Sequence, residues 1–263
     1  EYLSKLKPDA VIIAAARVGG IYANSSKKAE FIYENLSIQN NLIHGSFISG
    51  VKNLLFMSSS CCYPKLANQP MSEDQLLTGP LESTNETYAL AKIAGMKMCE
   101  SYSNQFNLNY KSLMPCNLFG PGDNYDLETS HFIPAIINKI HKAKINKEKS
   151  IILWGTGKPL RELMYVDDLA NAVEFFLFKK FKDSFLNIGS GIEYSIYEYA
   201  KLVNKIIGIN DLIFKFDKNK PDGTPRKILN STKAINLGWK CRLSIEEGIN
   251  LAYNSYLKSL SIK

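Results

Sequence analysis

Two side chains four residues apart, Tyr88 and Lys92 in Tyr-Ala-Leu-Ala-Lys, could share one chemical task. On a helix that spacing puts both on one face. An ammonium beside a phenol favours the phenolate. The spacing therefore predicts a tyrosine pKa below its usual value of about 10, and a side chain able to give or take a proton at neutral pH. The other half of such a site lies upstream. There Val51-Lys-Asn-Leu-Leu-Phe-Met-Ser-Ser-Ser-Cys-Cys-Tyr63 runs from an apolar stretch into three serines and two cysteines. A short apolar run closed by turn signals reads as a buried parallel strand, and open α/β sheets gather ligands at the carboxyl ends of such strands. A serine hydroxyl there would complete a hydrogen-bonding group for a carbonyl or an alcohol. The spacing is not specific by itself, because Tyr197 and Lys201 repeat it. No serine-rich strand end precedes Tyr197, so that pair reads as a solvated helix face. Context leaves Tyr88 and Lys92 between catalysis and an ordinary amphipathic helix.

The elements that must position these residues alternate along the chain. Residues 1–7 read as the end of a helix, 10–16 as a buried strand and 29–49 as a long helix. The serine-rich strand and a polar loop over 64–83 lead to a helix over 85–105 that carries Tyr88 and Lys92. A strand over 110–116 follows, broken by Asn117-Leu-Phe-Gly-Pro121. This alternation predicts the α/β class and a Rossmann-like, doubly wound parallel sheet. Beyond Pro121 the pattern changes: helices over 130–143, 167–179, 194–207 and 244–257, strands over 150–154, 185–188 and 212–216, and a turn at Pro221-Asp-Gly-Thr-Pro225. It predicts a first domain over 1–120 with a returning segment at about 165–190, and a smaller α+β domain over 121–164 and 191–263.

Composition excludes several classes. The net charge of +7 is carried mainly by lysine, densest over 139–149. It reads as solvated surface or as attraction for a small anion, and no nucleic-acid-binding pattern accompanies it. The five cysteines are an odd number without metal-ligand spacing, which predicts no metal and a reducing, cytoplasmic setting. No stretch reads as a signal peptide or a membrane span.

Several motifs in order then resemble the extended short-chain dehydrogenase/reductases, the NAD-dependent epimerase/dehydratase family, and within it the GDP-L-fucose synthase group. They are Ala14-Ala-Ala-Arg-Val-Gly-Gly-Ile21, Ser59-Ser-Cys61 with Tyr63-Pro64, and Thr84-Asn-Glu-Thr-Tyr-Ala-Leu-Ala-Lys-Ile-Ala-Gly95. Further along come Met114-Pro-Cys-Asn-Leu-Phe-Gly-Pro121, Ser130-His131, Trp154-Gly155, Arg161-Glu162 with Val166-Asp-Asp168, and Lys220-Pro-Asp-Gly-Thr-Pro-Arg-Lys227. The resemblance covers essentially the whole chain. It implies NADP as cofactor and a GDP-sugar as substrate, undergoing 3,5-epimerisation and 4-reduction. The first domain would bind NADP and the second the nucleotide sugar. Ser59, Tyr88 and Lys92 match the reductase triad, and Cys61 with His131 the acid/base pair for epimerisation. Met57, Ser58, Ser59, Ser60, Lys92, Pro115, Cys116, Asn117, Leu118 and His131 match the NADP site. Trp154, Arg161 and Asp222 match substrate contacts. Lys139 stands where the family has a substrate-contacting arginine, keeping the charge without the planar fork. The resemblance also implies a homodimer through the helices over 29–49 and 85–105.

Taken singly these residues have ordinary readings: His131 as a capping or core histidine, Cys61 as a small buried filler, Trp154 as core, Asp222 as a turn residue. Cys62, Cys99, Cys116 and Cys241 read as packing, and His44 and His141 as surface or helix residues. The family opens with a glycine-rich turn that cradles the cofactor pyrophosphate, and no Gly-x-x-Gly-x-x-Gly occurs here. The sequence is therefore expected to begin about two βα units into the fold, and to bind a GDP-sugar better than NADPH. The rivals are another nucleotide-sugar epimerase or dehydratase, and a remnant that only binds. Ser-Cys-Cys-Tyr in place of the dehydratases' acidic pair argues against water elimination.

Overall fold

The structure, a computed structural model, describes residues 2–19, 26–220 and 222–261. In chain order the elements are α1 (Tyr2–Leu6), β1 (Ala10–Ile13), α2 (Lys28–Ile48), β2 (Asn53–Met57), α3 (Glu86–Phe106), β3 (Asn109–Pro115) and β4 (Asn117–Phe119). Then come α4 (Phe132–Asn146), β5 (Ser150–Trp154), β6 (Leu160–Tyr165), α5 (Val166–Phe176), β7 (Phe185–Ile188), β8 (Glu193–Ser195) and α6 (Ile196–Ile207). The last are β9 (Ile213–Asp217), β10 (Arg226–Lys227), α7 (Thr232–Asn236) and α8 (Ile245–Ser261). They fall into two compact units. The first holds Glu1–Cys116, Leu169–Ile188 and Leu229–Lys240, and the second Asn117–Asp168, Gly189–Ile228 and Cys241–Lys263.

The first unit is a parallel sheet in the order β1-β2-β3-β7. Its steps from β1 through α2 to β2, and through α3 to β3, run in one direction. Right-handed crossovers then put α2 and α3 on the same face, where they pack together and Gln39 Nε2 donates to the Ala91 carbonyl at 2.6 Å. Two buried polar residues of α2 are satisfied by their own helix: Asn35 Nδ2 donates to the Phe31 carbonyl and Ser46 Oγ to the Leu42 carbonyl. The depth of α3 is set by Gly95. A Cβ there would meet Phe56 of β2 at 2.5 Å and Gln39 at 2.9 Å, so only glycine lets this helix lie so close to the strand. Residues 88, 92, 95/96 and 99 share the face turned to the sheet, and Lys92, Gly95, Met96 and Cys99 are buried.

Two expectations about the first unit change. The strand predicted over 10–16 is only Ala10–Ile13, and Ile12 is 47% exposed. Among the described residues it pairs with β2 alone, and Ala14–Ala16 leave the ladder. Residues 229–240, which the sequence pattern groups with the second domain, lie in the first unit. Leu229 bridges Met71, Lys233 pairs with Asp183 at 2.6 Å, and Lys179 Nζ donates to the Leu237 carbonyl.

In the second unit, β6 is flanked by β10 and antiparallel β8 along its first half and by β4 along its second, while β5 and β9 form a parallel pair. Arg226 of β10 grips Glu193 of β8, with Nε 2.9 Å from both carboxylate oxygens. Isoleucines 133, 136, 137 and 140 of α4 pack with Leu163, Tyr199, Ile249 and Tyr253 into one core. The helix expected to start at Tyr194 starts at Ile196. Ser195 and Glu198 form a reciprocal capping box, and the residues before it are strand.

Candidate active site

At the carboxyl end of β2 the chain stays buried at Met57, Ser58 and Ser60, then turns through a short 3₁₀ segment, Ser60–Cys62. Ser59 caps that turn, its Oγ accepting from the Cys61 amide at 3.3 Å. The Ser59 side chain lies near enough to the Tyr88 phenol to favour its ionised form. Lys92, 3% exposed, donates from Nζ to the Met57 carbonyl at 2.8 Å. Its ammonium lies 4.8 Å from the Phe56 ring centre and 5.9 Å from that of Tyr88. The first unit thus brings together Ser59, Cys61, Tyr88 and Lys92, with Pro115 and Cys116 ending the neighbouring strand. Ser58 is committed inward, its Oγ donating to Met96 Sδ at 2.8 Å. Cys62 also faces inward, and burial pushes its thiol up to about 11.

The expected fall of the Tyr88 pKa is reversed. Burial raises it, the charge of a Cys61 or Cys62 thiolate would raise it further, and the nearby Ser59 side chain lowers it less. The Lys92 ammonium points at a backbone carbonyl rather than at the phenol oxygen, and burial brings its own pKa down to about 8. At rest the tyrosine is a protonated acid. The pair Tyr197 and Lys201 shows the same spacing at the surface, with the ammonium 4.4 Å from the ring centre of an exposed tyrosine. Depth, not spacing, separates the two.

The first unit's donor set fits the nicotinamide end of NADP. An ammonium has three donors, and the Met57 carbonyl takes one. A buried ammonium beside a serine hydroxyl and a phenol, at the ends of adjacent parallel strands, suits a ribose diol and a reacting carbonyl. The other residues matched to the cofactor, Asn117, Leu118 and His131, belong to the second unit, and Gly20 and Ile21 of the first glycine motif lie outside the described residues. No group of three or more His, Cys, Asp or Glu that could hold a metal occurs among the described residues.

The second unit carries a separate cluster. Trp154, 44% exposed, ends β5 opposite Asp217 of β9. Lys139 Nζ donates to the Ile152 carbonyl at 2.8 Å and stands 5.9 Å from the indole centre, and Lys220 stands 4.9 Å from it. Arg161 donates from one guanidinium nitrogen to the Leu160 carbonyl and from another to the Asp222 carbonyl at 3.1 Å. The Asp222 carboxylate accepts from the Thr156 amide at 2.6 Å and hydroxyl at 2.7 Å. It is a turn residue first, and its remaining lone pairs are what it could offer a ligand. Gly155 has φ +74°, and a Cβ there would collide with Asp222 Oδ1. Two cations beside an exposed indole, with Arg161 on the Asp222 carbonyl, suit a diphosphate and a stacked base. His131 is exposed at the N-cap of α4. Burial raises the pKa of Asp123, and the Asn124 amide bonded to its carboxylate partly offsets this.

Sequence reasoning missed a buried network behind the serine-rich turn. Tyr63 Oη donates to Asn187 Oδ1 at 2.7 Å, Asn187 Nδ2 donates to the carbonyls of Met71 and Asn230, and the Asn187 amide donates to Glu73 Oε1. The separation of 124 positions from Tyr63 to Asn187 puts it beyond any local signal. Cys241 does more than pack: its Sγ donates to Asp168 at 3.0 Å. His44 and His141 bond Tyr102 and Tyr253.

The NAD dependent epimerase/dehydratase family matches residues 1–189. A GDP-L-fucose synthase of Sinorhizobium fredii is 48% identical over 99% of this chain and 83% of its own length. Among solved structures, a GDP-6-OMe-4-keto-L-xylo-heptose reductase from Campylobacter jejuni is 34% identical with TM-score 0.89, over 98% of this chain and 85% of that one. A GDP-L-fucose synthetase from Naegleria fowleri bound to NADP is 26% identical with TM-score 0.88, over 99% and 81%.

Proposed function

This chain belongs to the NAD dependent epimerase/dehydratase family, and we propose that it converts GDP-4-keto-6-deoxy-D-mannose to GDP-L-fucose by NADP-dependent 3,5-epimerisation and 4-reduction. The observation that carries the reading is Cys61 on the same turn as Ser59, beside Tyr88 and Lys92. That arrangement supports proton-transfer and reduction chemistry at one strand end. In a sequence 48% identical to a GDP-L-fucose synthase, that combination favours this substrate over those of simple epimerases.

A ketone at carbon 4 acidifies the protons on carbons 3 and 5, and inverting each centre needs a base on one face and an acid on the other. Cys61 and His131 are assigned those two roles. NADPH, when bound, supplies the hydride to carbon 4. Tyr88, kept protonated by burial, gives its proton to the carbonyl oxygen, and Ser59 holds that oxygen by a hydrogen bond. Once the proton has left, the Lys92 ammonium stabilises the tyrosinate, and its spare donors hold the ribose. Trp154, Arg161, Lys139 and Asp222 are assigned to the GDP end, Arg161 clamping the diphosphate.

The test is solvent deuterium incorporation read by mass spectrometry. Tyr88→Phe should block reduction and leave exchange at carbons 3 and 5, while Cys61→Ser should slow exchange. Equal loss of exchange in both variants would contradict the roles. No helix among the described residues is long and apolar enough to cross a membrane. The five free thiols support a reducing, cytoplasmic setting. A homodimer through α2 and α3 is part of the reading, supported by exposed Tyr33, Ile48, Leu90 and Phe106 on those helices.

A further inference from the structure

The turn that follows β5 grips a carboxylate by both of its oxygens. Thr156, half-buried at the centre of that turn, donates from its amide to Asp222 Oδ1 at 2.6 Å and from its hydroxyl to Asp222 Oδ2 at 2.7 Å. The same hydroxyl accepts from the Lys158 amide at 3.3 Å, which turns its proton toward the carboxylate. The turn itself is tied to β9, the Gly155 amide donating to the Asp217 carbonyl at 2.9 Å. The backbone of Asp222 is held from another side, its carbonyl accepting from Arg161 at 3.1 Å.

Holding both oxygens has a consequence that holding one does not. The last torsion of an aspartate side chain is broad and two-fold rather than staggered. One hydrogen bond places one oxygen and lets the other swing about it. Bonds to both fix the plane of the carboxylate. Each carboxylate oxygen can accept about two hydrogen bonds, so Thr156 uses one site on each oxygen and leaves one on each. Asp222 is exposed. It therefore offers a ligand two adjacent acceptors in a set plane.

The surroundings say what such a pair would meet. The carboxylate lies against Gly155, where a Cβ would collide with it, and Gly155 follows Trp154, whose indole is 44% exposed. A planar ring resting on that indole has Asp222 beside its edge. Two neighbouring N–H donors on the edge satisfy both oxygens at once, as a guanidinium does. Among the common nucleobases only guanine has them, at N1 and at its 2-amino group. Adenine places an acceptor next to its amine, and uracil has one N–H between two carbonyls.

We infer that Thr156 is a positioning residue that sets base specificity: its two hydrogen bonds aim the Asp222 carboxylate so that the paired donors of guanine are accepted and the edges of adenine and uracil are rejected. This rests on the reading above that the second unit takes the GDP end of the substrate.

The experiment is isothermal titration of the whole chain with GDP, IDP, ADP and UDP, for wild type, Thr156→Val and Thr156→Ser. IDP keeps the N1 hydrogen and lacks the 2-amino group, so the ratio of GDP to IDP affinity reads the second bond of the pair. Wild type should bind GDP about tenfold or more tighter than IDP, because a hydrogen bond to a charged group is lost, and should bind ADP and UDP more weakly than GDP. Thr156→Val keeps the size and the amide bond and loses the hydroxyl. Its GDP to IDP ratio should fall to about threefold or less, while Thr156→Ser, which keeps the hydroxyl, should hold the wild-type ratio. The ratio compares two ligands on one preparation, so a partly unfolded variant still reports it. A Thr156→Val protein with the wild-type ratio would overturn the inference. So would one that loses GDP and IDP binding by the same factor, the mark of a turn that only shapes the site. Equal binding of GDP and IDP by wild type would overturn it without any variant. If wild type bound ADP or UDP as tightly as GDP, or bound none of the four, the functional reading would fall with it.

Discussion

Replacing Lys92 by methionine should stabilise the fold while abolishing reduction. The side chain is 3% exposed, its hydrogen bond goes to the neutral Met57 carbonyl, and an aromatic face stands 4.8 Å away. Burial brings its pKa from 10.5 to about 8. At about 1.4 kcal/mol per pH unit, this is about 3 kcal/mol by which the charged form destabilises the native state at neutral pH. Methionine has similar length and no charge, and the Met57 carbonyl it leaves without this donor costs about 1 kcal/mol. The net gain is about 2 kcal/mol, or about 4–8 °C in Tm for a chain of this size. Calorimetry or circular dichroism without cofactor would measure it. The pH dependence is the sharper check. Between about pH 8 and 10.5 the unfolded chain holds a proton that the folded chain lacks, so wild-type stability contributed by this residue rises with pH. The Tm gap between the two proteins should be widest below pH 8 and close toward pH 10.5. In the wild type, kcat/KM for reduction should fall above about pH 8 as the ammonium is lost. A variant less stable than wild type at pH 7, or a gap that ignores pH, would refute the account of Lys92 as a strained charge kept for function.

Three further outcomes are expected. Lys139→Arg restores a planar donor fork and should tighten GDP binding severalfold by isothermal titration; unchanged or weaker binding would count against a diphosphate role for this position. Gly155→Ala meets both a positive φ and Asp222. It should lower stability to urea by roughly 2 kcal/mol or more and weaken GDP binding, whereas a wild-type unfolding curve would show the turn to be pliant. Sedimentation at micromolar concentration should give a dimer, with a charge placed at Tyr33 shifting it to monomer; a monomeric wild type would end that proposal.

The parts of this molecule legible in its sequence are those with a local signature. The run Leu54–Met57 followed by serines shows a strand end, and 88/92 shows a helix face. The order of motifs shows what surrounds them. What was not legible depends on depth. Tyr88 and Tyr197 stand in the same relation to a lysine, and only packing makes one a half-buried protonated acid beside a buried ammonium and the other a surface pair. β6 was invisible because Arg161 and Glu162 break its apolar pattern, although Glu162 is buried and accepts from the Gly191 amide at 2.7 Å. The Tyr63–Asn187 anchor joins residues 124 positions apart and leaves no periodic trace. The helix predicted to begin at Tyr194 was misplaced because a capping box three residues wide outweighs the apolar period there.

Gly95 gives this site an unusual pattern of vulnerability. It touches no substrate and has no reactive atom, yet it fixes how far Lys92 and Tyr88 stand from the strand end. Even one methyl group would have to push Phe56 or Gln39 aside, lifting the helix off the strand. In a saturation scan scored by turnover, position 95 would then be as intolerant as position 92, while a scan scored by abundance would separate them. Lys92 variants would be plentiful and inactive, Gly95 variants scarce and inactive. The two maps laid over each other would distinguish residues that perform the reaction from the one whose missing side chain sets its geometry.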